Sequence, residues 1–208
     1  MKPVIVVNFK TYKQGEDVLK LAKLVEKVSK DIIAGVSAAD INEISKKTKL
    51  KVYCQHVDAL SPGRDTGFII PEAVKAVGAI GSFLNHSEHK LDFETIKKSV
   101  LRCKESGLKS MVFAGSLHEA LEIEKLNPDY LIYEPPELVA GDISVSSAKP
   151  EVISEIAKKL KMPFLVGAGI KTNADVKKSL ELGAIGIAVS SAVTTAARPE
   201  EVLRGLLG

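Results

Sequence analysis

Cysteine is scarce in this 208-residue chain: Cys54 and Cys103 are the only two, with no C-x-x-C spacing. That excludes a disulfide framework and a cysteine zinc site, and two buried thiols are favoured over a single Cys54–Cys103 bridge. Charge of one sign is also missing. Lys and Arg number 29 against 26 Asp and Glu, and the net +3 is spread along the chain. It argues for neither a nucleic acid nor a membrane surface as partner, while a small anionic substrate stays compatible. Long hydrophobic runs are absent too: the apolar stretches are strand-sized, far below the ~20 residues that span a bilayer. Met1-Lys2-Pro3 leads straight into such a stretch rather than into a signal peptide. The expectation is a soluble, intracellular, cytoplasmic protein. No long linker or low-complexity segment breaks the pattern, so residues 1–208 are expected to form one domain.

What is present is an alternation. Short β-branched runs lie at 3–8, 31–36, 50–54, 79–85, 109–114, 129–133, 163–168 and 184–190. Between them, apolar residues recur at helical spacing: Val18, Leu21, Ala22, Val25 and Val28; Ile96, Val100 and Cys103; Val152, Ile156 and Leu160. Pro71-Glu72 and Pro150-Glu151 suit first helical turns, and Gly78, Gly107 and Gly183 suit helix ends. Eight successive βα units predict an α/β fold, a closed eight-stranded parallel (β/α)8 barrel, because closure removes both sheet edges. At roughly 200 residues this is the lower limit for such a barrel. The helices must be short, the one within 38–47 most of all.

In a parallel barrel the loops after the strands share one rim. Three polar groups stand there: Lys10 after the first strand, His86 after the fourth and Glu134 after the sixth. A cation, an imidazole and a carboxylate on one rim make an acid–base site. Asn85 or Ser87 is expected to cap the following helix, whose dipole would keep His86 neutral. His86 and His89, with His56 and Cys54, could instead bind metal. Their H-x-x-H spacing is not the i, i+4 pattern and no carboxylate pair completes the set, so no metal or other cofactor is expected. The loop from Glu134 to Lys149 begins with Pro135-Pro136 and reads as a stiff-hinged lid, with Glu137 solvated. Gly167-Ala168-Gly169 and Ser190-Ser191-Ala192 place small residues after strands seven and eight, where this fold commonly binds phosphate.

Taken in order, Asn8-Phe9-Lys10-Thr11-Tyr12, Gln55-His56-Val57-Asp58, Asn85-His86-Ser87-Glu88, Tyr133-Glu134-Pro135-Pro136 and Gly167-Ala168-Gly169-Ile170 resemble the triosephosphate isomerase family, in its compact archaeal branch. That family is itself the standard illustration of a glutamate base facing a neutral histidine, so this mechanism is inherited with the resemblance. The resemblance implies a TIM barrel that interconverts dihydroxyacetone phosphate and glyceraldehyde 3-phosphate through an enediolate, a step of glycolysis and gluconeogenesis. Catalytic roles would fall to Lys10, His86 and Glu134. Asn8, Phe9 and Lys10 would bind substrate, and Val139, Ala140, Gly169, Ser190 and Ser191 would hold its phosphate. Glu88 would support Lys10 or the rim. A homo-oligomer, dimer or tetramer, is implied, with the 58–67 loop as its contact.

The chain departs from the family pattern in several places. Ala140-Gly141-Asp142 stands for the usual Gly-Thr-Gly lid tip, with Asp142 expected to point outward. Val166 and Gly169 replace the lid's tyrosine and serine latch. Strand five ends in Phe113-Ala114-Gly115-Ser116 without the family's cysteine and glutamate, and Ala192 replaces a glycine. The competing readings are another sugar-phosphate isomerase or epimerase barrel, an aldolase, and a barrel that only binds metabolites or partners.

Overall fold

The structure is a computed structural model that describes residues 2–139, 141 and 143–208. Eight parallel strands close into a barrel in sequence order. They are β1 (Val4–Asn8), β2 (Ile33–Val36), β3 (Lys51–Cys54), β4 (Gly81–Leu84), β5 (Lys109–Ala114), β6 (Tyr130–Tyr133), β7 (Phe164–Val166) and β8 (Gly186–Val189). Closure comes from β1 pairing with β8, Val4 opposite Gly186 and Val7 opposite Val189. The helices are α1 (Glu16–Val28), α2 (Ile41–Lys47), α3 (Pro71–Ala76), α4 (Phe93–Ser106), α5 (Leu117–Glu124), α6 (Val145–Ala148), α7 (Pro150–Lys159), α8 (Asn173–Glu181), α9 (Ser191–Thr194) and α10 (Pro199–Leu207). The α2 helix has only 7 residues, as the short 38–47 segment requires. Gly78, Gly107 and Gly183 all take positive φ between a helix and the next strand.

Strand side chains alternate between two cores. Ile5 and Val7 of β1, Leu131 and Tyr133 of β6, and Ile187 and Val189 of β8 face the helical shell. Val6, Ile33, Tyr53, Phe83, Met111, Phe113, Ile132, Leu165 and Ala188 fill the barrel itself. The barrel is narrow for so many large groups, and glycine provides the room. A Cβ on Gly35 would sit 2.0 Å from the Phe83 ring, and one on Gly81 2.3 Å from the Tyr53 ring. Overpacking of this kind costs about 1–3 kcal/mol, so Gly35→Ala should lower the denaturation midpoint with an unchanged m-value. An unaltered midpoint would mean that Phe83 swings aside freely and that the barrel is not close-packed at this layer.

Cys54 and Cys103 are both buried free thiols, so no bridge forms. Burial pushes Cys54 up to about 11 and Cys103 up to about 12, which keeps both protonated and unreactive. Among the described residues no helix is long and apolar enough to cross a membrane.

Candidate active site

The inward alternation that fills the barrel, carried one step past each strand's core residue, delivers the rim. Val6 points in and so does Asn8; the same parity brings Gln55 after Tyr53, Glu134 after Ile132, Gly167 after Leu165 and Ser190 after Ala188. Asn8, Lys10, His86, Glu134, Val139, Gly141, Gly169, Ser190, Ser191 and Ala192 line one pocket there, together with Phe113 and Lys171. The three groups taken for chemistry therefore meet, although the chain spaces them far apart.

Phe9 does not join them. It is an odd-parity residue that packs among the shell side chains, and its N–H donates to Gly35 O at 2.9 Å. The Phe9 side chain thus faces away from the pocket that Asn8 and Lys10 line. Ala140 and Asp142, expected to contact phosphate and to point outward respectively, lie outside the described residues.

Backbone strain collects at this rim. Among the described residues four non-glycines have positive φ, and three of them, Lys10 (48°), Asn85 (60°) and Ala168 (75°), stand just past β1, β4 and β7. Lys10 is held by its N–H donating to Asn8 Oδ1 at 3.0 Å, and its carbonyl accepts from Gln55 Nε2 at 2.9 Å. Gln55 Nε2 also reaches Asn8 Oδ1 and Gly35 O. The Lys10 ammonium donates to Glu88 Oε1 at 2.7 Å; Lys10 is nearly buried and Glu88 largely exposed.

His86 is neither next to a helix start nor under a helix dipole. The expected cap at Asn85 or Ser87 is wrong: residues 86–89 form a turn closed by His89 N–H to His86 O at 2.8 Å, and α4 begins only at Phe93, capped by Asp92. The loop is longer than the capping pattern suggested, and Asn85 spends its side chain on tertiary bonds instead. What fixes the imidazole is local. The Glu88 backbone N–H donates to His86 Nδ1 at 3.1 Å. An Nδ1 that accepts carries no proton, so the neutral ring holds its one proton on Nε2, aimed into the pocket. Phe113 packs edge-on against the ring with centroids 4.7 Å apart.

Glu134 faces that nitrogen: its Oε2 lies 3.1 Å from His86 Nε2. The approach is close but poorly aligned, and Glu134 Oε2 remains a buried oxygen without a hydrogen-bond donor from the protein. Ser190 Oγ, in the same pocket, is buried and unpartnered as well. Gly167 makes the carboxylate's seat, since a Cβ there would stand 2.7 Å from Glu134 Oε1. Gly169 has φ 67°, and a Cβ on it would meet Ile143 O at 2.1 Å, so only glycine lets this loop lie against the segment after the lid. Val145 N–H to Ala168 O, 3.1 Å, joins the two.

The lid base is a turn of 3-10 helix, Pro136–Leu138, set by its prolines. Glu137 is exposed and pairs with Lys149, away from the chemistry. Beyond His86 a neighbouring cleft holds His56 stacked on His89, centroids 4.1 Å apart, with His56 Nε2 3.3 Å from Asp58. Burial holds the His56 imidazole below the usual range, against the opposing pull of Asp58. Stacked rings do not converge on a common point, and among the described residues no three His, Cys, Asp or Glu side chains form a metal-holding group.

A sequence model of the family described as triosephosphate isomerase matches residues 3–205. The chain belongs to the triosephosphate isomerase family. Triosephosphate isomerase of Sulfurisphaera tokodaii is 41% identical over 99% of this chain and 94% of that protein. That of Methanocaldococcus jannaschii is 39% identical over 98% of each. The crystal structure of triosephosphate isomerase from Bartonella henselae superposes with a TM-score of 0.75 at 19% identity, covering 98% of this chain and all of that one, which shows the shared fold. Archaeal members of the family are thus among the most similar relatives, in keeping with the short chain.

Sequence reasoning gave no role to two residues that organise this rim. Gln55 lies inside a quoted motif, and its parity after Tyr53 was the available signal. Glu119 stands three residues after Ser116, which reads as a helix-capping pattern, and Ser116 Oγ does accept from Glu119 N–H at 3.1 Å. The Glu119 carboxylate reaches back to Gly115 N–H, but its other oxygen bonds Asn85 and Lys90, which no local pattern predicts.

Proposed function

We propose that the protein interconverts dihydroxyacetone phosphate and glyceraldehyde 3-phosphate, with Glu134 as the base. The observation that carries this reading is the buried, unpartnered Glu134 Oε2 opposite a His86 Nε2 that bears the ring's only proton. A substrate carbonyl that parts the two would meet a base on its carbon side and a neutral donor at its oxygen. Glu134 removes a proton from the carbon next to the carbonyl, and the electron pair moves onto the oxygen to give an enediolate. His86 Nε2–H stabilises that oxygen and passes protons between the two oxygens. Glu134 then returns its proton to the neighbouring carbon, and the hydrogen balance closes without any redox partner. Lys10 offsets the charge of phosphate and enediolate. Gly169, Ser190 and Ser191 receive the phosphate, and the unsatisfied Ser190 Oγ supplies a hydroxyl there. The lid over this pocket excludes water and restrains the enediolate from expelling phosphate.

The test is a coupled assay of glyceraldehyde 3-phosphate isomerisation with chelator present throughout, on wild type and Glu134→Ala. Turnover in the wild type alone is the expected result. A folded but inactive wild type would point to a different sugar phosphate or to a barrel that only binds.

We also propose that the protein is a homo-oligomer acting in the cytoplasm. Tyr12, Phe68 and Leu101 are exposed large apolar groups, the second just beyond the 58–67 loop, and two free thiols suit a reducing compartment. Light scattering should give a mass that is a multiple of 22.3 kDa; a single-chain mass would refute association.

A further inference from the structure

The Glu88 N–H and the Phe113 ring hold the imidazole itself, and the backbone that carries it follows directly on Asn85. Asn85 is 1% exposed, holds the left-handed φ of 60° and uses both ends of its amide. Its Oδ1 accepts from Leu91 N–H at 3.0 Å, and its Nδ2 donates to Phe113 O at 2.9 Å and to Glu119 Oε1 at 2.7 Å. Glu119 comes from α5, a different βα unit. Its other oxygen, Oε2, accepts from Gly115 N–H at 2.7 Å, and Oε1 also meets the Lys90 ammonium. One carboxylate therefore ties the end of β4 to the end of β5. The contact extends to the lid, because a Cβ on Gly115 would stand 2.9 Å from Pro136 Cδ, so the Gly115 backbone lies directly against the lid's first turn.

We propose that Glu119 is a positioning residue for His86, holding Asn85 in its strained conformation so that His86 Nε2 points at the reacting oxygen. The assignment of that oxygen rests on the isomerase reading above. Left-handed φ costs asparagine less than other residues with a Cβ, but it is still a minority conformation that the surroundings must select. Here the surroundings are an amide whose two donors and one acceptor site are engaged, with Glu119 as the only charged group among the partners. Burial pushes the Glu119 carboxyl up, but the bonds from Lys90, Gly115 N–H and Asn85 outweigh it and leave it below the usual value of 4.5, so it is ionised and purely an acceptor at neutral pH. Glu119 supplies support at the end of β5 from the next helix.

The variant that tests this is Glu119→Gln. It keeps size but must face an N–H2 either toward Asn85 Nδ2 and the Lys90 ammonium or toward Gly115 N–H, so in either orientation the carboxylate's tie between the ends of β4 and β5 breaks on one side. Displacing a catalytic group by a fraction of an ångström to an ångström costs up to about 100-fold. We expect kcat to fall about 30-fold with KM within about twofold, and the His86 side-chain nitrogen resonances, assigned in ¹⁵N-histidine-labelled protein, to shift or broaden. Ser116→Ala is the comparison: it removes the α5 cap without touching Asn85, and should cost stability while leaving kcat and the His86 resonances as in wild type. Unchanged kcat and unchanged His86 resonances in Glu119→Gln overturn the proposal. So does a Ser116→Ala that loses kcat equally, since Glu119 would then act only through the helix. The imidazole spectrum needs no turnover, so if the wild type proves inert toward triose phosphates the isomerase reading fails while the positioning role is still decided.

Discussion

Glu134→Asp should lower kcat by about 100-fold or more, about 2.7 kcal/mol of barrier, with KM within about threefold of wild type. The shorter side chain withdraws the carboxylate by about one methylene from a seat built to its length. Gly167 leaves space for Oε1, and Oε2 stands 3.1 Å from His86 Nε2. No other carboxylate among the described rim residues offers a replacement base, because Glu88 is paired with Lys10 and Glu137 with Lys149. On the proposed reading phosphate sits at the other side of the pocket, at Gly169, Ser190 and Ser191, so binding should be left alone. Steady-state kinetics in both directions reads the two constants separately. An equal loss in kcat and in affinity would show that Glu134 shapes the pocket rather than taking the proton.

Lys10→Ala should be costlier still, lowering kcat/KM by about 1,000-fold, about 4 kcal/mol, with contributions from both constants. Lys10 is the cation paired with Glu88, whose Oε2 is also 3.7 Å from His86 Nδ1. Removing the ammonium takes away the charge proposed to meet phosphate and enediolate, and leaves the Glu88 carboxylate uncompensated beside the imidazole. A nearly buried ammonium acts in a lower dielectric than a surface lysine, which is why the expected loss exceeds that for an exposed pair. Kinetics of the variant, with the affinity of a planar anionic enediolate mimic, separates the two roles. If KM alone rises, Lys10 is a counter-ion for phosphate and no more.

The eight strands were legible because each is a short, largely buried run bounded by turn residues, and the eight-fold repetition left closure as the economical solution. Their ends were less so. The reading at 79–85 overshoots β4, and that at 31–36 overshoots β2, because Ala79 and Ile32 are buried in the shell without belonging to the strand ladders. Apolar character reports burial, and these two residues are buried outside a strand. Lys10, His86 and Glu134 were legible for a related reason: once strand ends are known, topology alone brings the residues after them together. Phe9 parts company with Asn8 and Lys10 because a motif is a string, whereas a strand sends neighbouring side chains to opposite faces. The capping role given to Asn85 or Ser87 failed because asparagine and serine make the same local signal whether or not a helix follows. Asn85 answers to Glu119 and Phe113, 34 and 28 residues away, and such partners leave no periodic trace.

The most direct test of the central claim, that Glu134 moves a proton by way of an enediolate, is isomerisation run in D2O and followed by proton NMR. A carboxylate base exchanges part of its captured proton with solvent before returning it, so the wild type should place deuterium on the carbon that receives the proton, and Glu134→Ala should neither turn over nor label. Product formed at the wild-type rate with no deuterium on carbon would mean direct hydride migration between the two carbons, and would contradict the account.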